Sequence, residues 1–282
     1  MATPVVFAPQ AGPALAVVRV IGSGAGLMAP REAIMLPNRW IAVVDTGNGR
    51  LVILGQDGRA LHATRDGRLT QPFALASDGR SIYVLDAGQA AIERYTLQGR
   101  FAGELVHNQV LLSDGRGLAI APSAIYVANP RANSIVEFAL PSGKLRRVFT
   151  APGNNTGATG YTQPSDVAVD PEGDVYSTEV DNHIKMRQGS GRFIQAWPTA
   201  GFVTVFPVHV LPLGTGRLLA SDPSGALLSY VGANVPVRYP LRLGGKILTG
   251  VQPQGLSRLP DGTILVADAL GNRLLVVAAP QG

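Results

Sequence analysis

The 282-residue chain contains no cysteine, so disulfide staples and thiolate chemistry are both excluded. Charged residues are scarce at 15%. No block of like charge and no low-complexity tract occurs, which disfavours disorder. Lysine is nearly absent: the basic residues are 21 Arg and 3 Lys, giving a net charge of +5. Those arginines are spread along the chain, and their densest cluster is Lys144–Arg147, so the charge reads as a solvated, arginine-biased surface. Nucleic acid is disfavoured as a partner, since no basic stripe with exposed aromatics appears. The most apolar stretch, Phe202–Leu213, is 12 residues long with two prolines, too short to span a bilayer. The opening MATPVVFAPQAGP lacks a basic segment followed by an apolar core, so the expectation is a soluble chain without a signal peptide; the compartment stays unknown.

What is present is apolar residues at 46%, with 34 Gly and 21 Pro, the composition of a protein with a core and many tight turns. Six short β-like runs end in an acid or amide. They are Ile41–Asp45, Ile82–Asp86, Ile125–Asn129, Val175–Glu179, Leu218–Asp222 and Ile264–Asp268, with steps of 41, 43, 50, 43 and 46 residues between their last members. A period near 45 residues with four strand-sized segments per unit is the pattern of a β-propeller blade. The second unit shows the grammar. Phe73–Ala76, a Ser77-Asp78-Gly79-Arg80 turn, Ser81–Leu85, a polar turn, Ala91–Thr96, a Gly99 turn and Phe101–Val106 make a four-stranded antiparallel meander.

The expected fold is therefore all-β, one domain over residues 1–282, a six-bladed propeller of four-stranded antiparallel blades. Blades fall near 30–66, 71–108, 114–150, 163–198, 206–243 and 252–278. The last lacks a fourth strand after Arg273–Val277, and the strand-like run Leu15–Ile21 is expected to supply it and close the ring. Two segments exceed the repeat. Ala151–Tyr161 reads as a surface loop with an Asn154-Asn155-Thr156 glycosylation acceptor, and Val231–Val251 is expected to lengthen an outer strand.

Val43–Leu54 (VVDTGNGRLVIL) and Leu265–Val277 (LVADALGNRLLVV) resemble the NHL repeat, whose pattern runs from a P-x-G start through a D-G turn and V-A-D to an N-x-R or N-R turn. Gln163–Asp170 is similar to its opening, with Asp166 in place of Gly. The resemblance implies a propeller and little about chemistry. The recurring acids Asp45, Asp86, Glu179, Asp222 and Asp268 are expected to be structural, accepting hydrogen bonds from turn amides and the nearby Arg or Asn.

The same resemblance implies that the residue after the opening Pro of each innermost strand lines the channel mouth, where enzymatic relatives place zinc-binding His or calcium-binding Glu, Asn and Asp. Here the positions are Arg31, Phe73, Arg116, Ser165, Val208 and Gln254, which offer no metal-ligand set and imply no cofactor. The two arginines with Ser165 and Gln254 suit a carboxylate or phosphate. One position later come Glu32, Ala74, Gly117, Asp166, His209 and Gly255. In that register Glu32, Asp166 and His209 would form a divalent-cation site, and the two registers are expected to exclude each other. Thr178-Glu179 followed by Asn182–Lys185 resembles an element of streptogramin-lyase-like propellers and occurs once. His62, His107 and His183 occupy non-equivalent positions and build no cluster. Phe193, Trp197, Phe202 and Phe206 read as packing. The reading is a non-catalytic recognition or scaffold propeller that binds a protein, glycan or anionic ligand, alone or in a larger assembly. A metal-dependent lactonase or lyase is the alternative.

Overall fold

The computed structural model describes residues 10–150, 159–198, 207–214, 216–232 and 236–280. The Asn154-Asn155-Thr156 acceptor, most of the Ala151–Tyr161 loop, Phe202 and Phe206 lie outside them. Strands β1 (Gln10–Ala11) and β2 (Leu15–Ile21) come first. One sheet then holds β3 (Pro30–Met35), β4 (Ile41–Asp45), β5 (Arg50–Leu54) and β6 (Ala60–Ala63). The next holds β7 (Pro72–Ser77), β8 (Ser81–Asp86), β9 (Ala91–Thr96) and β10 (Phe101–His107). A helical turn α1 (Gln109–Leu112) leads to β11 (Gly117–Ala121), β12 (Ala124–Asn129), β13 (Ser134–Ala139) and β14 (Leu145–Thr150). A fourth sheet holds β15 (Pro164–Val169), β16 (Val175–Glu179), β17 (His183–Arg187) and β18 (Phe193–Pro198). Then follow β19 (Val210–Gly214), β20 (Arg217–Asp222), β21 (Ala226–Val231), β22 (Val237–Leu243), β23 (Lys246–Ile247), β24 (Pro253–Arg258), β25 (Ile264–Asp268) and β26 (Arg273–Val277).

The propeller architecture is present, but the expectation of six four-stranded blades is overturned. Among the described residues there are four separate four-stranded sheets. The remaining strands form one ten-stranded sheet in the order β19-β20-β21-β22-β2-β26-β25-β24, with β1 and β23 attached to β22. The cause is the N-terminal run. β2 lies antiparallel to β26, pairing Val17 with Val277 and Ile21 with Leu274. Its other edge runs parallel to β22, pairing Leu15 with Leu241 and Ala16 with Arg242. A strand laid against one open edge leaves its own second edge unpaired, and here β22 satisfies it.

The core lies between sheets rather than at one centre. The second strands are buried along nearly their whole length, and β4 and β25 read as continuous apolar runs up to the final acid, as expected of strands covered on both faces. Between the β7–β10 and β11–β14 sheets, Leu85, Ile92, Leu118, Ile125, Val127 and Phe138 pack together. Equivalent layers join each sheet to the next, and Val43, Leu54, Leu265 and Leu274 pack the last strands against the first sheet. The first strands β3, β7, β11, β15, β19 and β24 contact one another in turn, with β24 against β3, around a central channel. Trp197 is buried and stacks on Tyr176. The Val231–Val251 segment supplies β22 and β23.

Two asparagines, each in a turn between a second and a third strand, tie sheets together. The side chain of Asn272 accepts from the Ala29 N–H, and that of Asn133 accepts from the Gln163 N–H, both at 2.8 Å. Ala29 and Gln163 each precede the proline that opens an inner strand, and all four residues have positive φ, between 45° and 51°. Only this left-handed backbone turns the N–H back toward the neighbouring sheet, at a cost for residues with a Cβ.

Removal of residues 1–22 should lower the melting temperature by at least about 10 °C, given that the buried Leu15, Val17 and Ile21 go with it. Thermal unfolding followed by circular dichroism is the measurement. A truncated protein as stable as the parent would show that β2 holds nothing together.

Candidate functional site

The geometry of the channel mouth begins with the buried group that ends each second strand. Asp45 accepts from the Met28 N–H at 2.6 Å and from Asn48 and Arg50. Asp86 accepts from the N–H groups of Thr70, Gln71 and Gln89 at 2.6, 3.0 and 3.0 Å. Glu179 accepts from the Thr162 N–H at 2.6 Å, and Asp268 from the Gln252 N–H at 2.9 Å and from Arg273. Each carboxylate thus fixes the loop that leads into the inner strand of its own sheet, one to two residues before the opening proline. Asp222 instead binds Ser224 and Arg238. Asn129 replaces the acid where α1 presents a carbonyl: its side-chain amide donates to Leu111 O at 3.1 Å. A carboxylate could not make that bond.

Directly after the proline the ladder slips. Pro30 pairs with Asp45 but Glu32 with Val44, leaving Arg31 as the extra residue of a β-bulge. The same slip leaves Phe73, Ser165, and the Gln254-Gly255 pair extra in β7, β15 and β24. Because a bulge lets two consecutive residues face the same side, the two expected registers do not exclude each other. One cavity of about 480 Å³ is lined by Arg31, Phe73, Arg116, Ser165, Val208 and Gln254, and also by Glu32, Asp166, His209 and Gly255.

Arg31 and Arg116 both lie over the Phe73 ring, their guanidinium carbons 4.5 and 4.6 Å from its centroid. Arg116 is paired with Asp114 at 3.2 Å. Arg31 has no hydrogen-bond or ion-pair partner among the described residues; in particular it does not pair with adjacent Glu32. Burial, and then the charge of Arg116, push the Arg31 guanidinium down to about 10. Ser165 Oγ lies 2.9 Å from Thr178 Oγ1.

Glu32, Asp166 and His209 form the waist below. Glu32 accepts from the Leu75 N–H at 2.9 Å, and Asp166 from the Val210 N–H at 2.9 Å, so each carboxylate reaches to the next inner strand. Gly255 and Gly117 make room for them: a Cβ on Gly255 would sit 2.9 Å from Glu32 Cα, and one on Gly117 would sit 2.6 Å from Asp166 Cα. His209 Nδ1 lies 3.0 Å from Asp166 Oδ2, and Nε2 lies 3.0 Å from Leu256 O. Both ring nitrogens are therefore engaged. Burial pushes Glu32 well above the usual carboxylate range, and the charge of Asp166 adds to it. Burial raises Asp166 too, against the opposing pull of His209. No cluster of three or more His, Asp or Glu suited to a metal occurs among the described residues. Glu32 and His209 also border a second cavity, of about 590 Å³, at the other end of the channel, where Ile34, Ile120, Leu211 and Pro212 make the walls largely apolar.

The sequence reading missed part of the mouth. Pro130, Val180 and Pro223 line it, each directly after a second-strand end residue, and Gln163 and Gln252 line it from just before an inner-strand proline. The recurring acid carried the signal for the first three, since the next residue is a rim position. His62, His107 and His183 lie apart from it, and His183 contacts Asp181.

No protein-family model and no curated protein matches the chain. Solved structures do. A streptogramin B lyase has a TM-score of 0.68 at 13% identity, over 92% of this chain and 96% of that one. A catalytically inactive virginiamycin B lyase from Staphylococcus aureus, with quinupristin, gives 0.66 at 16%, over 92% and 82%. The extracellular domain of BT4673 from B. thetaiotaomicron gives 0.64 at 14%, over 94% of this chain and 40% of that one. At these identities the likeness is one of fold, and it places the chain among β-propeller proteins. The NHL repeat stays a resemblance of motifs. No helix among the described residues is long and apolar enough to cross a membrane.

Two outcomes follow from this geometry. Asp86→Ala leaves the Thr70, Gln71 and Gln89 N–H groups without their acceptor and should cost about 3 kcal/mol or more in denaturant unfolding, with Asp86→Asn in between. A loss within experimental error would refute the acid as a staple. Glu32 has a raised pKa in the folded state, so its stabilising contribution is complete below the unfolded value of about 4.3 and is lost as pH rises through the folded value. Glu32→Gln retains an oxygen for the Leu75 N–H and has no proton to give up. Its melting temperature should match the parent near pH 4 and exceed it at pH 8. A pH-independent gap would contradict the assignment.

Proposed function

We propose that this propeller is a non-catalytic recognition module that binds an anionic ligand at the channel mouth, through Arg31 and Arg116. The observation that carries the reading is Arg31. Its guanidinium is half-buried in a concave cavity and lacks a hydrogen-bond or ion-pair partner among the described residues, while the neighbouring Arg116 already has Asp114. A buried cation without a counter-charge is costly, and an anion that forms charge-assisted hydrogen bonds offsets that cost. Gln254 supplies an additional amide at the rim, and the cavity volume falls within the range of small-molecule sites.

The non-catalytic half of the reading rests on the waist. The groups that an enzyme would use are already spent: Glu32 on Leu75, Asp166 on Val210 and His209, and His209 on Asp166 and Leu256. General base work needs a free, aimed ring nitrogen, and His209 offers none. The lyase names among the structural neighbours belong to those proteins and bring the fold alone.

Isothermal titration of the parent with acetate and with inorganic phosphate tests the proposal. At least one should bind the parent, and Arg31→Ala should weaken it at least about ten-fold, with Arg31→Lys between the two. Equal, negligible binding by parent and variant would leave the arginines structural.

A further inference from the structure

Resting on that anion reading, we propose that the ligand is a monocarboxylate with an apolar body, its head held by Arg31 and Arg116 and its body lying against Pro130, Val180, Val208 and Pro223.

The charge count at the mouth sets the head group. Arg31 and Arg116 bring two positive charges, and Asp114 at 3.2 Å offsets one. The Asp166 carboxylate is turned to the His209 ring at 3.0 Å and does not pair with either arginine. Glu32 is turned to the next inner strand, where it accepts from the Leu75 N–H, and it does not pair with Arg31. Arg31 is the guanidinium left without a counter-charge among the described residues, and one carboxylate matches it. The guanidinium carbons lie no more than about 9 Å apart, since each is within 4.6 Å of the same ring centroid. A planar carboxylate matches the fork of Arg31 in a way that a doubly charged tetrahedral ion neither needs nor improves.

The opposite side of the cavity sets the body. Pro130, Val180 and Pro223 follow Asn129, Glu179 and Asp222, so they stand at equivalent positions on three successive sheets, and Val208 stands beside them on the inner rim. All four are half-buried, leaving an apolar arc open to the cavity. The corresponding residues elsewhere, Thr46, Ala87 and Ala269, do not line it. The Phe73 ring already carries two guanidiniums, so the apolar part of a ligand is directed to the Pro and Val arc. Gln163, Gln252 and Gln254 lie between the two arcs and leave a polar body as the competing outcome.

The test is titration of the parent with acetate, 4-methylpentanoate, phenylacetate, gluconate and inorganic phosphate, repeated on Arg31→Ala and on the double variant Val180→Ser/Val208→Ser. The expected result is that 4-methylpentanoate or phenylacetate binds at least roughly ten-fold tighter than acetate and gluconate, from the burial of the added carbons. The double serine variant should erase that advantage, and Arg31→Ala should weaken every carboxylate. Preference for gluconate or phosphate, or an advantage that survives the double variant, overturns the apolar body while leaving the anion reading intact. Absence of binding by every anion to the parent overturns both.

Discussion

A second strand covered on both faces has no route to water, and the polar group at its end must be satisfied within the protein. That constraint organises the rest of the structure. Asp45, Asp86, Glu179 and Asp268 find their donors in the loop that leads into the inner strand of the same sheet. Once those amides are held, the loop enters the inner strand at a fixed point, the opening proline is pinned against the carboxylate-bearing residue, and the extra residue of the bulge is turned toward the axis. The mouth is thus positioned from behind. Its side chains are few and variable, while the network that aims them is repeated and buried, which is how a repeat fold holds a particular site without losing its common frame.

Much of this was legible in the chain. The six β-runs were visible because covered strands need continuous apolar residues and turns need Gly, Pro and Asp, and both leave marks at a fixed period. The ring from Arg31 to Gln254 was visible because a proline precedes five of its six positions, Arg116 following Gly115 instead. Fusion of the last strands into one ten-stranded sheet was not. The pattern of Leu15–Ile21 says that it is a strand; it carries no information on whether its second edge meets solvent or β22. The bulge was hidden for a related reason. Side-chain alternation predicts facing only while the ladder is regular, and a single extra residue brings Arg31 and Glu32 to the same cavity. Nor could the sequence tell which arginine would be neutralised. Asp114 stands two residues before Arg116 and Glu32 directly after Arg31, and only the fold shows that the first pair forms and the second does not.

The molecule contains another concentration of charge, and comparing it with the mouth shows why the mouth is the better site. In the fourth sheet Lys185 is fully buried, yet its ammonium donates to Gly160 O, Glu179 and Asp181 at 2.9, 2.7 and 2.7 Å, using all three of its hydrogens. Arg187 beside it donates to Thr159 O and Gly160 O and lies over Tyr161. Such a network is expensive to break and offers nothing to a ligand, because each donor is already matched. It anchors the segment that leads into β15, a task that Arg50 shares with Asp45 before β3. Arg31 is the reverse case. Its guanidinium is half-buried, stacked on Phe73 and set beside a second cation, with no acceptor among the described residues. Under the proposed reading, an anion would supply the acceptor that Arg31 lacks. The difference between a fully bonded buried cation and a half-buried one with open donors, more than the number of charges in either place, is what favours the mouth as the proposed site.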